Sequence, residues 1–461
     1  MTIGVVVGEA NTQSAAVFLF QEARVGQYVI LEYNEGILGL ITSVITNSPL
    51  LDDKMSDEEL IRDLMKKNYE IPTYKKAKVR LLRKLKDLTL PDMPPPPGTR
   101  VRLASDDELA KIFSDGDIRI GTLIGTNVEV KINVNAMARH LAILAETGAG
   151  KSNTVAVLSS RIAKKGGTVI IFDYHGEYYD SDIKDLNVIE PKINPLYLTS
   201  AELAALLEIK GNAYIQYRII RRAFEEVLEE IEEKIKSGNL TFEKLDTQFL
   251  YLLEKKVEVV GSKEPKKDRV AEVLNKIEEF GDRYRDIITF AVGDITERIR
   301  RGMVNVVNLS LLNENEIDAV VSHYLRSILT ARKEHKEGKG GLEFPVFVVI
   351  EEAHVLLSKN RSTLARKWAG KIAREGRKFG VGLIIVSQRP KGIDEDVLSQ
   401  MTNKIILRMT EPTDKRYVRE ASDNLSEDLV ESISSFNVGE ALIVGNIVKI
   451  PTVVKIDKFE G

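Results

Sequence analysis

The sequence predicts an α/β fold: a parallel sheet with crossover helices, preceded by a small β-rich unit and interrupted by a helical insertion. Three observations carry this prediction. From about residue 118, apolar β-branched runs alternate with helix-period segments, the texture of βαβ units. A glycine-rich turn, AETGAGKSN (145–153), lies between the apolar run LAIL and the helical pattern SNTVAVLSSRIAKKG. Residues 1–104 hold short strand-like runs, whereas 197–300 hold long, charged helical patterns.

Taken in order, residues 1–104 read as a small barrel. VFLF (17–20), QYVILEY (27–33) and GILGLITSVI (36–45) are short β-branched runs, with a turn at Asn34-Glu35-Gly36. PDMPPPPG (91–98) is neither helix nor central strand, because proline supplies no N–H and fixes φ, so it reads as a stiff strap. Residues 105–196 form the first part of the core, with strands in HLAILAE and TVIIFDYHGEY. The insertion, 197–300, carries YRIIRRAFEEVLEEIEEKIKSG and VAEVLNKIEEFGDRY. Strand texture returns in the second part of the core, 301–438, at MVNVVNLS, FPVFVVIEE, VGLIIVSQ and NKIILRM. A C-terminal extension, 439–461, reads as a hairpin and a final strand.

The length of 461 residues suggests about three compact units. With 43% hydrophobic and 29% charged residues, the composition is that of an ordinary globular protein. No apolar run reaches 18 residues and the start lacks a signal-peptide pattern, so the expectation is a cytoplasmic protein with no membrane partner. The absence of cysteine excludes disulfides, Cys-ligated zinc and a thiol nucleophile. A formal net charge of −3 gives no whole-molecule basic footprint, so a polyanion would have to be met by a local patch.

The glycine-rich turn points to nucleotide chemistry. Gly148 and Gly150 let the backbone bend so that the N–H groups of Thr147 to Asn153 (Thr147, Gly148, Ala149, Gly150, Lys151, Ser152, Asn153) cradle phosphate at the positive end of the following helix. Lys151 would reach the β/γ-phosphates of ATP and Ser152 its Mg2+. The match to G-x-x-x-x-G-K-[ST] departs at Ala145, where the first glycine would stand. Such a loop also accounts for an oddity in VFVVIEEAH (346–354): a strand that reads as buried ends in two adjacent acids. Unpaired, each would be destabilising by several kcal/mol, and a metal–phosphate complex at the sheet edge offers the counter-charge. Glu351 is the metal-side acid, acting largely through coordinated water, and Glu352 the base that polarises the attacking water. Asp173 and Gln388 end neighbouring strands with polar tips. Gln388 either senses the γ-phosphate or is a plain strand-end amide. Asp173, His175 and Glu177 alternate as metal ligands would, a spacing that is equally that of an extended turn. Arg374 and Arg377, three apart on one helix face, include a candidate finger supplied to a neighbouring subunit, and Arg139 is a second candidate for a subunit-edge contact.

RHLAILAETGAGKSNTVAVL, IFDYHGEY, VVIEEAHVLL and REGRKFGVGLIIVSQRP together resemble the HerA family of archaeal DNA-translocating ATPases, within the larger HerA/FtsK group, across nearly the whole chain. The resemblance implies a RecA-like P-loop NTPase core with an N-terminal HAS-type barrel over 1–104. It also implies an ATP-driven translocase or helicase: a homo-oligomeric, hexameric ring on double-stranded DNA, working with a NurA-type nuclease in end resection for recombinational repair. Lys151, Asp173, Glu352, Arg374 or Arg377, Gln388 and Arg139 match the family's nucleotide-site positions, while Ala145 and Glu146 depart from the usual loop start. DNA-contact candidates are Lys210 in KGNAYIQYRIIRR (210–222) and Lys359 and Arg361 in SKNRSTLARK (358–367). The basic run YKKAKVRLLRKLK (74–86) belongs to the barrel, where it would serve a partner or a neighbouring subunit. Two other readings use the same motifs: a VirB4-like motor of a conjugation or secretion system, and a nucleotide-gated clamp.

Overall fold

The computed structural model describes residues 1–49, 72–210, 212–237, 242–422 and 427–460, so residues 50–71 of the expected barrel region lie outside the described residues. The chain forms two compact units. The first comprises Met1–Asn135, Gly148–Gly150 and Lys404–Lys458; the second comprises Ala136–Thr147, Lys151–Asn403 and the residues from Phe459.

In the first unit, β1 (Thr2–Ala10), β2 (Ser14–Leu19), β3 (Tyr28–Leu31), β4 (Ile37–Asn47), β5 (Tyr74–Lys84) and β6 (Arg100–Leu103) close into a barrel in the order β1-β2-β5-β4-β3-β6. Alternation drives it: in β5, Ala77, Val79 and Leu81 turn into the core while Lys76 and Lys78 stay exposed. β4 and β5 pair antiparallel with irregularities at Leu38/Gly39 and Ile41/Ser43, the kind of bulge that bends a long strand around a barrel. At Gly39 a Cβ would stand 2.5 Å from Val79 Cγ1, so only glycine allows that close crossing. The β3–β4 turn places Asn34, Glu35 and Gly36 all at positive φ. The proline-rich strap is tied down by Gly98, whose N–H donates to the Val6 carbonyl at 2.9 Å, and leads into β6.

The same unit holds a second, antiparallel array: β15 (Asn403–Leu407), β16 (Glu440–Val444), β17 (Thr452–Ile456), β7 (Ile118–Leu123) and β8 (Glu129–Ile132). The expected hairpin plus final strand at the C-terminal end is a single hairpin, because β17 is itself the strand that returns along β16.

The second unit is built on a six-stranded parallel sheet, ordered β11 (Leu186–Ile189), β12 (Val304–Asn308), β10 (Thr168–Asp173), β13 (Val346–Ile350), β14 (Val381–Ser387) and β9 (Leu141–Leu144). Its central strands are buried on both faces, which is why they read as continuous apolar runs. The insertion is helical: α1 (Tyr214–Lys236), α2 (Phe242–Ser262) and α3 (Lys267–Tyr284) bury one stripe each, with Phe249 in edge contact with Phe224 and Phe290. Two helices flank the sheet further along, α4 (Glu314–Lys336) and α6 (Leu364–Phe379), with a single helical turn, α5 (Ala353–Leu356), between them. Among the described residues no helix is long and apolar enough to cross a membrane.

Candidate active site

The loop after β9 has the backbone that phosphate binding requires. Gly148 and Gly150 sit at φ 76° and 105°, where any side chain would be strained. The Ala149 carbonyl accepts the Gly439 N–H at 2.9 Å. Ala145 is fully buried, and its N–H donates to the Ser387 carbonyl at 3.1 Å. The position that usually holds glycine is therefore an extension of the β9–β14 ladder, and a methyl group fits there.

Lys151 opens the following helix and ion-pairs with Glu352. Glu352 is the hub of the site. Its carboxylate also receives Gln388 Nε2 at 3.3 and 3.2 Å, and it faces His354 Nδ1 at 3.3 Å and His175 Nε2 at 3.6 Å. Burial acts to raise its pKa, but the Lys151 hydrogen bond and charge, helped by Gln388 and His354, outweigh burial and hold the carboxyl below its ordinary value. Thr147 Oγ1 donates to Gln388 Oε1, fixing the amide in turn. The Glu352 backbone adopts the left-handed region, φ 43° and ψ 44°. For a residue with a Cβ this costs about 1–2 kcal/mol, and such strain persists where surrounding contacts over-determine it.

Glu351 turns to a different neighbourhood. It is 1% exposed, and Oε1 accepts the Tyr178 hydroxyl at 2.7 Å while the buried Oε2 has no protein partner. Burial pushes this carboxyl up to about 8; the Tyr178 hydrogen bond and the Lys151 charge oppose the rise, and Asp173 and Glu177 add to it. Asp173 is fully buried and accepts the N–H groups of Gly176, Glu177 and Tyr178, each at 2.9 Å. Both its oxygens thus shape the DYHGEY turn and aim Tyr178 at Glu351. Among the described residues no three His, Asp or Glu side chains form a metal cage. The donor set fits a different arrangement: the Ser152 hydroxyl and the unpartnered Glu351 oxygen suit an ion held mainly by phosphates and water, as Mg2+ is in phosphoryl-transfer sites. Asn153 Oδ1 accepts the Phe459 N–H at 2.8 Å.

The remaining predicted residues lie on the surface. Arg374 and Arg377 are exposed on α6. Asp318 of α4 caps that helix, accepting the Leu364 and Ala365 N–H groups at 2.8 Å each. α6 also carries Trp368, with Lys371 Nζ 4.9 Å from its ring centroid. Arg139 is exposed at the end of a short 3-10 turn. Lys210 is exposed, Lys359 Nζ lies 3.8 Å from Glu395, and Arg361 Nη1 donates to Glu314 at 2.5 Å. The structure therefore gathers Thr147, Lys151, Glu352 and Gln388 into one network, with Glu351 beside it, and leaves the arginines outside. His354 and Tyr178 belong to the site but were not foreseen. Their only signals are proximity: His354 follows the paired acids by two residues, and Tyr178 ends the turn that Asp173 begins.

Comparison with known proteins points the same way. Residues 118–328 match "Helicase HerA, central domain", 290–456 match "Helicase HerA-like C-terminal", and 3–86 match the HAS barrel domain. The DNA double-strand break repair helicase HerA of Sulfurisphaera tokodaii is 63% identical, covering 100% of this chain and 94% of that protein. The protein of the same name from Saccharolobus solfataricus is 59% identical over 100% and 93%, and that from Pyrococcus furiosus 34% over 99% and 92%. Among solved structures, VirB4 of Thermoanaerobacter pseudethanolicus superposes with a TM-score of 0.55 at 19% identity, covering 76% of this chain and 98% of that one. Plasmid coupling protein TrwB with ADP and Mg2+ gives 0.54 at 14%, over 78% and 94%. These two likenesses speak for the fold alone. A parallel sheet whose carboxyl edge carries a phosphate loop, its lysine and a buried glutamate defines a P-loop NTPase. The chain belongs to the HerA helicase family, and is an ATP-driven helicase.

Proposed function

We propose that this helicase hydrolyses ATP at the Lys151–Glu352 site and uses the energy to move along double-stranded DNA as a hexameric ring, in double-strand break repair with a NurA-type nuclease, in the cytoplasm. The observation that carries the reading is the state of Glu352: a carboxylate at the sheet's buried edge, kept ionised by the phosphate-loop lysine. The repair role rests on the names of relatives up to 63% identical.

The chemistry follows from the contacts. The loop's N–H groups and Lys151 receive the β- and γ-phosphates, and drawing Lys151 towards them frees one Glu352 oxygen to accept a proton from the attacking water. Gln388, bonded to both Glu352 and Thr147, reports the γ-phosphate to the base. Ser152 and Glu351, the latter largely through water, would hold Mg2+, whose charge would offset that of the phosphates. Asp173 keeps Tyr178 and hence Glu351 in place, and Asn153 completes the first helical turn. Arg374 or Arg377, with Arg139, serve the site of the adjacent subunit, consistent with their exposure. Lys210, Lys359 and Arg361 meet DNA phosphates. The functional segments are 1–104, 105–196, 197–300, 301–438 and 439–461.

The test is the steady-state ATPase rate of wild type and Glu352→Gln, with and without linear duplex DNA, at low and raised salt. The expected result is a DNA-stimulated rate that falls about 100-fold or more in the Gln variant and whose DNA response weakens with salt. A rate indifferent to DNA would remove the translocation reading and leave a nucleotide-gated clamp.

A further inference from the structure

We propose that His354 is a positioning residue that holds the Glu352 carboxylate in its base-competent orientation once ATP has taken Lys151 away, an inference that rests on the function proposed above. Oε1 of Glu352 is tied to Lys151, with His175 Nε2 at 3.6 Å and Gln388 Nε2 at 3.3 Å. Oε2 is tied to Gln388 Nε2 at 3.2 Å and His354 Nδ1 at 3.3 Å. Of these partners, Lys151 is committed to phosphate when the site fills. Gln388 is bound to Thr147 of the phosphate loop, so it responds to whatever the loop binds. His175 is half exposed on the DYHGEY turn.

His354 alone is anchored independently of the nucleotide. It lies on α5, whose N-cap is Glu352 itself, and its Nδ1 also stands 3.3 Å from Ser387 Oγ at the end of β14. That hydroxyl oxygen is fixed by accepting the Arg389 N–H at 3.0 Å. Behind the ring, a Cβ at Gly392 would come within 3.2 Å of His354 Cβ, so the turn after β14 packs closely against its stem. With Glu352 Oε2 and Ser387 Oγ both 3.3 Å from Nδ1, we place the ring hydrogen on Nδ1, donated to Oε2 and shared with Ser387 Oγ. A carboxylate anchored through Oε2 presents Oε1 in one direction, towards the space Lys151 vacates. Misplacing a catalytic group by about 1 Å is enough to lose about two orders of magnitude in rate.

The experiment compares His354→Ala and His354→Asn with wild type in DNA-stimulated ATP turnover, each also in the Glu352→Gln background. The Ala variant should lose about 10- to 100-fold in kcat with the KM for ATP changed less than about twofold. The Asn variant, whose amide N–H replaces the Nδ1 donor, should recover most of that rate and also controls for any folding defect in Ala. With Gln at 352, the Ala change should have no further effect. A raised KM at unchanged kcat, or Asn no better than Ala, would overturn the proposal. An arm independent of turnover uses nucleotide-free protein labelled at histidine carbons, with the His354 signal assigned by its loss in His354→Asn. An Nδ1-protonated ring that responds to Glu352→Gln supports the proposal, and an Nε2-protonated ring indifferent to it refutes it. A wild type without ATPase activity would end the functional reading, and the spectroscopic arm would still decide the contact.

Discussion

In the barrel, Val17, Val29, Leu31 and Val101 meet one another at zero exposure, and the lysines of β5 face away. In the parallel sheet, strands of the same β-branched make-up end in Asp173, Glu351, Glu352 and Ser387, none more than 2% exposed. The barrel closes on itself and leaves no strand end where charge must be buried. The parallel sheet, with every strand running the same way, collects its polar ends at one edge. There each buried acid has a named partner: backbone N–H groups for Asp173, a phenol for Glu351, a lysine for Glu352. Paired burial of this kind contributes little net stability. It gives chemistry that a dry barrel lacks.

Substitutions that separate the two regions should do so by kind of effect. The largest is expected at the sheet edge: Lys151→Ala removes a cation from the phosphates and should weaken ATP binding about 100-fold, roughly the loss of two charge-assisted hydrogen bonds, as read by calorimetric titration. In the barrel, Leu31→Ala opens a cavity at a fully buried site; it should lower unfolding free energy by about 3–4 kcal/mol while leaving ATP affinity within about twofold. An acid titration sharpens the contrast further. His140, just before β9, is 3% exposed, its Nδ1 accepts the Leu383 N–H at 2.9 Å, and burial depresses its pKa to about 4. As pH falls the unfolded chain takes up this proton first, so stability is fully present above about 6.5 and declines towards pH 4, by up to about 3 kcal/mol. His140→Asn, a residue that tolerates the positive φ of 65° at this site, should flatten that decline in chemical unfolding measured across the range. The smallest effect is expected on the barrel's outer surface, where Glu22→Gln breaks an exposed pair with Lys75 of β5; the melting temperature should not change measurably.

Much of the architecture could be read from local pattern. The runs around Val17, Tyr28 and Ile37 announce barrel strands because they are short and β-branched, although burial alternates only in β2, and β13 and β14 announce themselves as uninterrupted apolar runs. β11 escaped because LNVI is short and only partly buried, and the β7–β8 hairpin because its alternation is broken by a shift at Arg119/Gly121. In the site, Lys151 and the paired acids were legible because motif spacing places them at a strand end. The division of labour between the acids was not fully legible. Neighbours in sequence point to opposite environments, and only the tertiary partners show it: Glu351 meets the Tyr178 hydroxyl, whereas Glu352 meets Lys151, Gln388 and His354. Asp173 reads as a site residue by position, yet its oxygens are spent on its own turn, a local preference of Asp that competes with any ligand.

The chain's one tryptophan gives the exposed arginine helix a built-in optical reporter. Trp368 sits one to three turns before Arg374 and Arg377 on α6, and the Lys371 ammonium over its ring is a quencher whose distance depends on local packing. Tryptophan emission, recorded without any dye, would therefore register the docking of that helix against another subunit or its response to nucleotide, free of background from any second indole. Rapid-mixing fluorescence with ATP could follow that movement in real time on the unmodified protein.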